Sequence, residues 1–234
     1  TCALPILEIQ DVKGDVHLKK KIMASLLVGS AVVGASLAPL SAQATTTGNT
    51  PVDVEFEGGT IEGLETSFDL IYLPTAFTFP ATKISDDLSA IPQLRAISSS
   101  LYIGDLRGTK EGWHVTGEVK EMNNGTDKLS GGINFGLRAS YAQYNDSQKG
   151  YVPSATLNGI NIADDPTAPS FVGTTMNIGG GASTIVTASV GKGQGTWVST
   201  LNDVSLNVTT PMQQLKKGAY TGTVTWNLVA GPSI

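Results

Sequence analysis

The strongest constraint on the fold is the run Ala219-Tyr220-Thr221-Gly222-Thr223-Val224-Thr225-Trp226-Asn227-Leu228-Val229-Ala230. Tyr220, Val224, Trp226 and Leu228 fall on one face, and Thr221, Thr223, Thr225 and Asn227 on the other. A period of two is that of a half-buried β-strand. The pattern has an earlier echo, where Trp113, Val115 and Val119 alternate with His114, Thr116, Glu118 and Lys120. Two strands therefore each carry a tryptophan followed, two residues on, by an aliphatic side chain.

Between and before these strands the chain is rich in Thr, Val, Ile, Ser and Gly, the composition of pleated, half-buried surfaces and tight turns. Alternation predicts strands at Val52–Glu57, Phe68–Leu73, Phe77–Phe79, Leu101–Ile103, Ile133–Ala139, Tyr151–Ile162, Ile185–Val190, Thr196–Leu201 and Val204–Val208. Gly191-Lys192-Gly193-Gln194-Gly195 reads as a hairpin turn, and Met212–Lys217 as a loop or single helical turn. Many short strands with glycine-rich turns imply a sandwich or barrel. The expected fold is all-β: a single-domain, antiparallel, Greek-key-like β-sandwich preceded by a signal-peptide helix.

Residues 1–17 are expected to lie outside the natural protein, because Thr1-Cys2-Ala3-Leu4-Pro5-Ile6 resembles a translated sequencing adaptor. The natural start is then expected at Leu18, from a TTG codon. Lys19-Lys20-Lys21 leads into an apolar stretch, Ile22–Leu40, and Ala42-Gln43-Ala44 supplies a small-x-small cleavage site. That is the layout of a signal peptide over 18–44, with Thr45 the expected mature N-terminus and 45–234 the single folded domain.

The polar lead-in Asp105-Leu106-Arg107-Gly108-Thr109-Lys110-Glu111-Gly112-Trp113, the segment Phe68-Asp69-Leu70…Leu73-Pro74…Phe77-Thr78-Phe79, and the closing strand Tyr220–Leu228 with Pro232 beyond it occur in that order. This set resembles the WxL domain of Gram-positive surface proteins, which carries two Trp-x-Leu motifs. The first motif here ends in Val115, which keeps an apolar β-former at that position. The resemblance implies an extracellular protein held non-covalently on the cell wall, with peptidoglycan as ligand. It points to Trp113, Val115, Trp226 and Leu228 as the binding positions. It also implies a protein partner, such as a WxL-interacting protein or another cell-surface protein. A structural or adhesive subunit that binds another surface protein or a host matrix component is the alternative.

Chemistry narrows the field further. From Thr45 onward there are 11 Lys and Arg against 17 Asp and Glu, so no basic footprint for nucleic acid exists. That region has no Cys and one His, His114, which leaves no thiol catalysis and no His-based zinc cluster. No two carboxylates are singled out as a glycosidase pair. No catalytic residue, metal site or cofactor is therefore assigned, and the protein is expected not to be an enzyme. Asp53-Val54-Glu55-Phe56-Glu57-Gly58 starts like a calcium loop but has Leu64 where a bidentate acid belongs. It is expected to be the acidic face of an edge strand. Trp197 matches no motif and is expected in the core.

Overall fold

A computed structural model describes residues 54–94 and 99–231. The expected upstream extension, signal peptide and Thr45 lie outside the described residues. The described residues form one compact unit.

Thirteen strands follow in order: β1 (Phe68–Tyr72), β2 (Ile91–Pro92), β3 (Ser100–Asp105), β4 (Trp113–Asn123), β5 (Gly131–Asn145), β6 (Gly150–Ser154), β7 (Thr156–Leu157), β8 (Ile160–Asn161), β9 (Ser170–Phe171), β10 (Thr175–Asn177), β11 (Ser183–Ala188), β12 (Gly195–Val208) and β13 (Thr221–Ala230). One sheet has the order β1-β3-β12-β5-β10, with β2 added on β12 and β6 on β5. The second has the order β13-β4-β11-β9. Every pairing between named strands is antiparallel. The chain passes from one sheet to the other between β3 and β4, β4 and β5, and at each step from β9 to β13. Spatial neighbours are thus distant in sequence, as Greek-key-like sandwiches require.

The core fills with the inward residues of both sheets. Leu101 and Ile103 of β3, Phe135 and Tyr141 of β5, and Trp197 and Leu201 of β12 meet Trp113, Val115 and Val119 of β4 and Ile185 of β11. Alternation along β4 is strict from Trp113 to Val119, with every second residue buried. Two aromatic expectations hold: Trp197 is in the core at 3 % exposure, and the strand at Phe68 forms.

Four local expectations are corrected. Of the strand expected over Val52–Glu57, the described part, Val54–Glu57, forms none; Val54–Thr60 lies exposed, and only Ile61 plugs in, fully buried against Gly104. Phe77–Phe79 is likewise not a strand, although both rings pack on the core. The Gly191–Gly195 turn does not close a hairpin, since β11 and β12 belong to different sheets. It is a crossover held by Gly191 N–H to Lys110 O at 2.8 Å and Gly193 N–H to Thr167 O at 2.8 Å. Thr196–Leu201 and Val204–Val208 join into the single long β12, with an irregularity between Asn202 and Ser205.

Candidate functional site

The two motif strands are neighbours. β13 pairs with β4 in a register that sets Trp226 opposite Gly117, Leu228 opposite Val115, and Ala230 opposite Trp113. Because residues directly across an antiparallel pair share a face, all four motif side chains point to the same, inward side of the second sheet. The motifs are legible in the sequence but their adjacency is not, because it depends on a pairing between segments over a hundred residues apart.

Burial divides the four. Trp113 and Val115 are 0 % exposed, because β4 is flanked by β13 and β11 and covered by the opposite sheet. In this fold neither side chain offers surface to a ligand. Trp226 and Leu228 are half-buried, because β13 is the last strand of its sheet. The Trp226 ring lies over Gly117, where a Cβ would stand 3.1 Å from the ring and 2.6 Å from Met176 Sδ. Glycine at that position lets the indole pack down on β4 while the side chain as a whole stays half-buried.

Trp113 belongs to a polar hub beneath the surface. Its Nε1–H donates to Gly193 O at 3.0 Å, and Trp197 Nε1–H donates to the same oxygen at 2.9 Å. Both buried indoles are thereby satisfied by one carbonyl, as aromatic N–H groups in a core require. Gly193 has φ +75, and a Cβ there would collide with Ala188 and lie 2.7 Å from Trp113 Nε1. Only glycine fits, for both reasons. The Tyr141 ring sits 5.2 Å from Trp197, and its hydroxyl donates to Asp165 Oδ2 at 2.9 Å. Asp165 Oδ1 accepts from Thr167 N–H and Oγ1–H, and Thr167 O accepts from Gly193 N–H. The hub joins both sheets to the two loops between them. Burial raises the Tyr141 phenol to about 12, helped by the Asp165 carboxylate. Burial works against ionised Asp165, yet the hydrogen bonds from Thr167 and Tyr141 outweigh it and hold that carboxyl below its ordinary value.

The polar lead-in to the first motif has a role that its sequence did not disclose. Asp105 is buried at 1 % exposure. Arg107 grips it with Nε and Nη2, each at 2.9 Å, while Nη2 also donates to Gly112 O at 3.3 Å and Nη1 to Glu111. The guanidinium also stacks on Phe68, 3.7 Å from the ring centroid. This clasp closes the crossover from β3 to β4 and so fixes where Trp113 enters the core. An open hollow of about 540 Å³ adjoins it, lined by Gly58, Gly59, Thr60, Glu65, Thr66, Ser67 and Arg107. His114 points away from Trp113, as alternation requires, and its Nδ1 lies 3.2 Å from Gly231 O.

Among the described residues, no group of three or more His, Cys, Asp or Glu is placed to hold a metal ion, and no helix is long and apolar enough to cross a membrane. No curated protein and no solved structure matches the chain. A model of the family described as WxL domain surface cell wall-binding matches residues 42–232; spanning the whole sandwich with both tryptophan strands, it shows that this chain belongs to that family.

Proposed function

We propose that the protein is exported and attaches non-covalently to peptidoglycan of the Gram-positive cell wall, without catalytic activity, through the strip that Trp226 and Leu228 present on β13. The observation that carries this reading is the pairing of the two motifs on adjacent strands with only the second reaching the surface. An indole that packs on Gly117 with one side can stack its other side on a sugar ring, as amphipathic aromatics do at interfaces. Trp113 and Val115 act from below as positioning residues, since they hold the strand on which Trp226 and Leu228 stand. The acidic balance, a formal charge of −6 from Thr45 onward, favours the glycan and peptide of the wall over its polyanionic polymers, which like charges repel.

The test is co-sedimentation of Thr45–Ile234, which contains the whole compact unit, with sacculi stripped of protein and teichoic acid. Wild type is expected to pellet with the sacculi. Trp226→Ala and Leu228→Ala, checked for a native near-ultraviolet circular dichroism spectrum, are expected to remain largely in the supernatant. Wild type that stays in the supernatant overturns direct attachment. The alternative, a surface-complex subunit, then gains support if a purified surface protein binds in the absence of wall.

A further inference from the structure

We infer that β13 is an acceptor edge for a strand supplied by a second copy of this chain, the donor being the segment around Val54 and Phe56. The molecule protects its other sheet edges. Exposed sheet edges invite strand addition, and natural proteins blunt them with short strands, charges, prolines or bulges. Here β9 has two residues and β10 has three. β1 has five, carries Asp69 and is interrupted between Leu70 and Tyr72. β6 carries Pro153. β13 has none of these protections over most of its length. It has ten residues without a charge or a proline, and its register on β4 is regular from Val224 to Ala230. Among the described residues no strand pairs with its second edge. Its inward residues Val224, Trp226 and Leu228 are only half-buried, so one more strand would complete their cover.

The same chain holds a segment made for that place. Val52, Val54 and Phe56 alternate with Asp53, Glu55 and Glu57, a strand pattern with one apolar and one acidic face. In the structure it is left without a sheet: Val54 is 73 % and Phe56 89 % exposed. A strand-patterned segment with its apolar face in water, beside an unprotected edge with its apolar face half covered, is a complementary pair. Seating Val54 and Phe56 on the Trp226 face puts the donor's acids on the face of Thr223, Thr225 and Asn227, where β13 has no charge to oppose them. Since Val54 and Phe56 are exposed in the single molecule, the donor comes from another copy. Donor and acceptor are different surfaces, so the contact is head-to-tail and builds rings where the rotation closes and open chains where it does not.

Sedimentation velocity on Thr45–Ile234 over a rising concentration series tests this without any wall material, so its failure is separate from failure of wall attachment. Wild type is expected to shift to dimers and longer species as concentration rises. Phe56→Lys, on an exposed side chain, is expected to sediment as monomer throughout. Thr225→Asp with Asn227→Asp is expected to lose association through like-charge opposition to the donor, and adding Glu55→Lys to that pair is expected to restore it. Wild type that stays monomeric overturns the proposal, including the case in which the segment folds onto its own β13. Association that survives Phe56→Lys, or that Glu55→Lys fails to restore, overturns it as well.

Discussion

Gly193 O is the smallest feature on which the fold depends, because two indoles from opposite sheets share it. Around it the Tyr141–Asp165 hydrogen bond provides a pH-dependent contribution whose sign can be worked out. Tyr141 is raised to about 12 in the folded state, whereas an unfolded tyrosine ionises near pH 10. Between about pH 10 and about 12 the unfolded chain loses its proton while the folded one keeps it. The stability that Tyr141 contributes is therefore complete below about pH 10 and is lost as pH rises through that window. Asp165, held below its ordinary value, works in the opposite direction: its contribution is complete above the unfolded carboxylate value and is lost as pH falls through the folded one. Tyr141→Phe is expected to flatten the alkaline fall in the urea midpoint and to leave Asp165 without its phenolic donor. If the alkaline limb of the midpoint-against-pH curve is the same in both proteins, Tyr141 does not carry it.

At the scale of elements, the crossovers decide more than the strands. Arg107→Ala would leave Asp105, 1 % exposed, without the guanidinium that grips both its oxygens. Removing one partner of a buried pair costs about 3–5 kcal/mol, so a marked drop in the urea midpoint is expected. Arg107→Lys keeps the charge but not the fork and is expected to fall between the two; a midpoint equal to wild type in Arg107→Ala would show that the clasp is dispensable. The sequence made much of this scale legible. Alternation located β4, where every second residue from Trp113 to Val119 is buried, and β13, where Val224, Trp226 and Leu228 are half-buried between exposed neighbours. It could not show which sheet a strand joins, so the stretch from Ile185 to Leu201 read as a hairpin although its halves sit in opposite sheets. Nor could it separate Trp113 from Trp226. Their local patterns are alike, and the difference in burial comes from β4 being interior to its sheet and β13 terminal. Val54 and Phe56 read as a strand because the residues suit one, but a strand also needs a partner edge, and in the structure none is paired with them.

For the whole molecule, these features converge on β13. It is the strand through which the family motif reaches the surface, and it is also the unprotected edge. A copy whose β13 holds a donor strand has Trp226 and Leu228 covered on their open flank, so the proposed wall contact and the proposed strand acceptance exclude each other on one edge. In a head-to-tail chain only the copy with a free β13 then touches the wall. The others are carried outward from it. A peptide spanning residues 50–58 mimics the donor without the rest of the molecule. Added in excess to Thr45–Ile234 and stripped sacculi, it is expected to move wild-type protein from the pellet into the supernatant. The same peptide with Phe56→Lys is expected to leave the distribution unchanged, because a lysine cannot cover the Trp226 strip. Raising the salt concentration is expected to change wall binding little, since the proposed contact is a ring on a sugar and not a charge on a charge. Wild-type peptide that assembles on β13 yet leaves the protein on the sacculi would place wall contact on another face of the sandwich, with β13 kept for assembly alone.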